Sequence, residues 1–152
     1  SNGEINYKLK GVHAKVSVIW NYEAPEGAKD THYSIMRGTK ANLIIRQGAE
    51  EDYLPTLYVE KTGDWSEEEF AVALSKAVED IQSNYPGVTA DFRTGETIIR
   101  IPDEYKLGHE AHFTQVTEKY LEYLKAGKLP DWEVPNMIAK YYTTTKGYEM
   151  SR

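Results

Sequence analysis

Residues 15–48 read KVSVIWNYEAPEGAKDTHYSIMRGTKANLIIRQG, and this stretch decides the fold. Val16, Val18 and Trp20 alternate with Ser17, Ile19 and Asn21, the period-two pattern of a β-strand. A polar bend from Glu23 to Asp30 follows, and Pro25 and Gly27 interrupt any ladder there. Two further strand-like runs, Thr31–Arg37 and Ala41–Gln47, flank the turn Gly38-Thr39-Lys40. A glycine at that point is a hairpin signal, because it reaches positive φ without a Cβ penalty. Lys15–Gly48 is therefore expected to supply three strands at the centre of an antiparallel sheet.

Working outward, Glu4–Lys10 alternates Ile5, Tyr7 and Leu9 with polar residues and predicts a first strand turning at Gly11. Beyond the acidic loop Gly48–Tyr53, Thr56–Lys61 predicts a fifth strand. Ser66–Tyr85 carries the clearest helix signal. Ser66 and Glu69 have the spacing of a capping box, and Phe70, Leu74, Ala77, Val78, Ile81 and Tyr85 form one apolar stripe. Val88–Arg93 and Thr97–Pro102 predict a second hairpin. A second helix is expected from about Gly108 to Ala126, striped by Phe113, Val116, Tyr120, Leu121 and Leu124, with Gly127 as its C-cap. A third spans roughly Asn136–Glu149. The expected fold class is α+β: a mostly antiparallel, open-faced sheet with about three helices packed on one side. Ser1-Asn2-Gly3 reads as an expression scar, and residues 4–152 as a single domain.

Composition excludes several classes of function. The chain has 152 residues and no cysteine, so disulfides and thiolate metal sites are ruled out. A net charge of −6 argues against non-specific nucleic-acid binding, which needs a basic face. No apolar run approaches the roughly 20 residues of a membrane-spanning helix. Twelve Tyr and three Trp suit strand surfaces, interfaces and carbohydrate stacking alike. The nucleotide and hydrolase motifs GxGxxG, P-loop, GxSxG and HExxH are all absent.

The candidate site residues are few. His109 and His112 lie three apart on one predicted helix face, a two-histidine spacing that lacks the further ligands a metal needs; packing at the helix start is expected, and no metal. His32 and Asp30 fall on the same side of a strand, where a structural hydrogen bond is the default. Arg37 and Lys40 flank the hairpin turn, expected as an exposed pair able to meet a carboxylate or phosphate. Trp20 and Tyr22 offer aromatic surface. Trp20, Tyr22, His32, Arg37, His109 and His112 are the residues expected to meet a substrate.

The run WNYEAPEGAKDTHYSIMRGTKANLIIRQG and the closing run GHEAHFTQVTEKYLEYLKAGKLPDWEVPNMIAKYYTTTKGYEMSR resemble the C-terminal domain of an oxidoreductase branch of the glucose–fructose oxidoreductase / inositol dehydrogenase (Gfo/Idh/MocA) superfamily. The resemblance implies a two-domain enzyme. An N-terminal Rossmann domain would hold NAD or NADP, and the C-terminal α+β domain would help form the pocket for a sugar or cyclitol. The exposed sheet face of such domains often mediates dimerisation. This sequence lacks the family's Glu-Lys-Pro motif and its Asp…His pair, so no catalytic residue carries over. The expected function is that of an isolated C-terminal substrate and oligomerisation domain, without cofactor and inactive alone. Its expected partners are the Rossmann domain of the same chain and a second copy through the sheet face. The alternative is a stand-alone carbohydrate-binding or protein-interaction domain. The resemblance selects no compartment, since bacterial relatives occur in both the cytoplasm and the cell envelope.

Overall fold

The computed structural model describes residues 2–152; Ser1, the first residue of the expected scar, lies outside them. In chain order the elements are β1 (Gly3–Leu9), β2 (Val12–Val18), β3 (His32–Arg37), β4 (Ala41–Gln47), β5 (Thr56–Lys61), α1 (Glu67–Asp80), β6 (Thr89–Phe92), β7 (Thr97–Arg100), α2 (His109–Ala126) and α3 (Glu133–Met150). Short 3-10 turns occupy Ala49–Glu51 and Asp103–Tyr105. The fold is α+β, with three helices and two antiparallel sheets, neither closed into a barrel. The chain divides into two compact units, Ala24–Leu107 and the pair of segments Ser1–Glu23 and Gly108–Arg152.

The unit Ala24–Leu107 holds a five-stranded sheet in the order β3-β4-β5-β7-β6, every pair antiparallel. Its central strand, β5, is covered on both faces. Val59 joins Phe70, Val88 and Ile99 on the side of α1, with Leu74 and Val78 of that helix packed against them. Tyr58 joins Ile44 and Ile98 on the other, where the cross-strand row runs Ile35–Ile44–Tyr58–Ile98. α1 forms for local reasons as well. Ser66 Oγ accepts from the Glu69 N–H at 3.1 Å, and the Glu69 carboxylate accepts from the Ser66 N–H at 2.8 Å. That capping box satisfies two donors the helix cannot pair internally.

The β3–β4 turn needs glycine for room. A Cβ on Gly38 would stand 2.5 Å from the Ala41 carbonyl oxygen, the same oxygen that accepts from the Gly38 N–H at 3.0 Å. The sequence argument from positive φ gives way here to close backbone approach, since Gly38 is not among the residues with positive φ.

The other unit contains the ribbon β1–β2 and the helices α2 and α3. This corrects the expectation that Lys15–Gly48 forms the centre of one sheet. β2 pairs only with β1, across the tight turn Lys10-Gly11, and the long Pro- and Gly-containing bend after it gives no ladder to β3. The strand also starts earlier and ends earlier than alternation suggested, at Val18, so Trp20 lies beyond it. There the Trp20 N–H donates to Asn2 Oδ1 at 2.9 Å. Ribbon register separates polarity cleanly. Ile5, Tyr7, Leu9, Val12, Ala14, Val16 and Val18 share one face; Glu4, Asn6, Lys8, His13, Lys15 and Ser17 share the other.

Phe70 is 6% exposed, so Phe70→Ala is expected to destabilise the protein by about 3–5 kcal/mol. Ser66→Ala should cost about 1 kcal/mol through the lost cap. Val72, 70% exposed on the same helix, should tolerate Ala within about 0.5 kcal/mol. Denaturant unfolding of the three variants checks this ranking.

Candidate functional site

Two depressions mark the unit Ala24–Leu107. One, of about 800 Å³, lies between the β3–β4 turn and the start of α1, lined by Thr39, Lys40, Asp64, Trp65, Glu68 and Val72 among others. Its indole is fixed in place: Trp65 Nε1 donates to the Thr62 carbonyl at 2.8 Å and meets Phe70 edge-on at 5.6 Å. Lys40 sits over that indole at 5.5 Å, with Glu68 and Glu69 on the same rim. A cation spent on an aromatic face beside two carboxylates is a poor anion holder.

The second depression, of about 410 Å³, is lined by Thr31, His32, Tyr33, Arg46, Gln47, Gly48, Ala49, Glu50 and Glu51. It has the more developed electrostatics. The Arg46 guanidinium lies 4.3 Å over the Tyr58 ring and bonds Glu96 Oε2 at 2.9 Å. Tyr58 Oη donates to Glu51 Oε1 at 3.0 Å, while Glu51 Oε2 accepts from the Gly48 N–H at 3.0 Å. Glu51 thus ties the loop after β4 to the central strand. Burial, reinforced by the Glu51 carboxylate, pushes the Tyr58 phenol above its ordinary value. Desolvation opposes the Arg46 charge, but Glu96 outweighs it and the guanidinium is held more firmly protonated than usual. The loop itself is strained, because Asp52 and Tyr53 take positive φ in succession, at 52° and 60°. Chemically, the network is a wall of paired polar groups, and His32 and Glu50 line the depression beside it.

The structure scatters the residues singled out from sequence. His32 and Arg37 sit at opposite ends of β3 and, five residues apart on a strand, on opposite faces. Only His32 lines a depression. Its expected bond to Asp30 is not formed among the described residues; instead the Asp30 carbonyl accepts from Gln47 Nε2 at 3.0 Å. The reason is register: Gln47 stands directly opposite His32, and Asp30 lies outside the strand. Trp20 and Tyr22 follow β2 and are 76% and 65% exposed. His109 and His112 open α2, and His109 packs edge-on to Phe113 at 4.8 Å. Arg46, Glu51, Tyr58 and Glu96, the residues that build the network, were not among those candidates. Alternation places Arg46 and Tyr58 on one face only once the register Arg46↔Thr56 is known.

Tyr58→Phe should cost about 1 kcal/mol, since Glu51 keeps its second partner. A phenol whose folded pKa is raised stabilises the fold fully below the unfolded value, near 10, and loses that contribution as pH climbs through the folded one. Stability measured from pH 9 upward is therefore expected to fall in the wild type and to fall less in Tyr58→Phe.

Against known proteins, the chain is similar over 98% of its length to the crystal structure of a "putative oxidoreductase" from Parabacteroides merdae ATCC 43184, with 54% identity and a TM-score of 0.93. It spans only 34% of that chain. No curated protein matches it. All of residues 1–152 fit the family model described as "Putative oxidoreductase C terminal domain", and the chain belongs to that family.

Proposed function

We propose that this chain is the substrate-side and oligomerisation domain of a nicotinamide-dependent oxidoreductase of the Gfo/Idh/MocA superfamily, with a sugar or cyclitol as substrate. The observation that carries the reading is the family match over the whole chain, together with a relative of which it spans only 34%. The oxidoreductase family implies a nucleotide cofactor and an N-terminal partner domain for the full-length protein. The parent reaction would move a hydride between a carbinol carbon and the nicotinamide, which requires an acid/base group beside the hydroxyl.

The residues present here do not fit a dinucleotide. Pyrophosphate sites use a glycine-rich turn between a parallel strand and a helix N-terminus. Every described strand pair is antiparallel. The first turn of α1 carries Glu67, Glu68 and Glu69, and those of α2 and α3 carry Glu110 and Glu133. Carboxylates at those positions repel an anion. The cofactor is assigned to the remainder of the protein, and of the residues expected to meet a substrate, His32 in the smaller depression is the one kept as the proposed contact of the unit Ala24–Leu107.

For assembly, the proposed interface is the exposed sheet surface at the β3–β4 edge. Met36, Leu43 and Ile45 share one face there and are 70%, 43% and 36% exposed. In a two-fold dimer one such patch would meet its own copy. Ile44, at 4% exposure, is core, so a charge there reports on folding alone.

Calorimetric titration should show micromolar NADH or NADPH binding to the full-length protein and no saturable heat with this chain; saturable binding to the chain would refute the assignment. Met36→Glu is expected to convert a full-length dimer to monomer in light scattering while leaving the melting temperature within a few degrees, since the site is exposed.

A further inference from the structure

The unit formed by Ser1–Glu23 and Gly108–Arg152 has no core of its own. Among the described residues, every buried side chain belongs to Ala24–Leu107. Yet its elements are strongly two-sided. On α2, Phe113, Val116, Tyr120 and Leu124 follow helical spacing along one face and are 60%, 66%, 60% and 62% exposed. The opposite face holds Gln115, Glu118, Lys119 and Glu122, with Lys119 and Glu122 paired at 2.7 Å. On α3 the half-buried stripe is small: Ala139, Thr143 and Gly147. A Cβ at Gly147 would lie 3.2 Å from Ile5 Cδ1, so at Gly147 the helix lies against the apolar face of the ribbon. The large residues of α3 (Val134, Met137, Ile138, Tyr141 and Tyr148) point the other way and are all exposed.

Two helices that turn their bulky apolar faces outward, beside a ribbon that is marginal in isolation, need a cover to be stable. We infer that the outward apolar faces of α2 and α3 are the docking surface for the portion of the same polypeptide that precedes this domain in the full-length protein. The inference rests on the proposed two-domain reading and adds the surface that joins the domains. Two observations choose this occupant over a second copy. The family is a C-terminal domain, and about two-thirds of the similar solved chain lies outside the matched region, which leaves ample polypeptide to supply a cover. The missing core also has to be completed whenever the protein folds. A covalently attached partner does that at any dilution, whereas a second copy would leave the unit uncovered at low concentration. A charge-free stripe along each helix matches a permanent apolar contact rather than a polar, transient one.

The test uses the full-length protein carrying Val116→Glu or Tyr141→Glu, with Gln115→Glu on the polar face of α2 as control and Val116→Ala as a milder variant that keeps the helix. Hydrogen exchange of α2 and α3 amides should be slow in the wild type and the control. It should rise by about tenfold or more in the glutamate variants and by less in Val116→Ala. Exchange should also rise in a segment N-terminal to this domain, and the oligomeric state should not change. Fast α2 exchange already in the wild type would overturn the proposal. So would a glutamate variant whose only effect is to turn a dimer into a monomer, because the cover would then be the second copy. Titration of the same wild-type preparation with NADH and NADPH tests the two-domain oxidoreductase reading separately, since a protein that docks but binds neither would refute that reading and leave the docking surface standing.

Discussion

Everything in the unit Ala24–Leu107 depends on β5 being buried from both sides. Tyr58 and Val59 are neighbours in sequence and therefore opposite in direction, and they are 7% and 4% exposed. One residue's slip in register would exchange them, putting a phenol that needs Glu51 under α1 and an isopropyl group beside Arg46. The polar partner of Tyr58 and the apolar partners of Val59 thus specify the same alignment. Helix α1 adds to this by presenting Phe70, Leu74 and Val78 to only one side.

The opposite side is closed by a different means. No helix of that unit covers Ile35, Ile44 and Ile98; long polar side chains flank the row instead. Asn42, itself buried, donates to Glu60 at 2.8 Å, and Arg46 lies across Tyr58 while holding Glu96. On the edge hairpin, Asp91 accepts from both Arg93 and Arg100, and those two cations hold its carboxyl below the ordinary range. That contribution is complete above the unfolded value and fades as pH falls through the lower folded one. An apolar row under a paired polar lattice buries its methyl groups without leaving a polar atom unsatisfied, and no buried unsatisfied side-chain atom is found among the described residues.

What was legible in sequence was local. The capping box at Ser66 and Glu69, the first part of the α1 stripe (Phe70, Leu74 and Val78), the C-cap at Gly127 and the turn at Gly38 each lie within a few residues, and each is where the pattern placed it; the helix itself ends at Asp80, short of the expected Tyr85. What was not legible was strand pairing beyond the two hairpins β3–β4 and β6–β7. The alternation at Val16 and Val18 is the same whether β2 joins a large sheet or a two-stranded ribbon, so periodicity alone could not exclude β2 from the centre. Site residues suffered most from this. His32 and Arg37 share a strand but point apart. Arg46, Tyr58 and Glu96 come from two strands and a turn far apart in the chain, and meet only through register.

The helical stripes of α2 and α3 show a subtler limit. Periodicity says that a face is apolar and must be covered; it does not say by what. On α1 the stripe and the cover lie in the same unit, and the inference from pattern to core holds. On α3 the bulky stripe is exposed and the small one, Ala139, Thr143 and Gly147, is half-buried; at Gly147 the close approach of Ile5 leaves little room for a larger residue. The bulk of that helix is thus turned away from the ribbon and left exposed. Under the docking proposed above, stability of this unit becomes a property of the whole polypeptide, and the same apolar faces that leave it without a core are the ones that tie it to its neighbour.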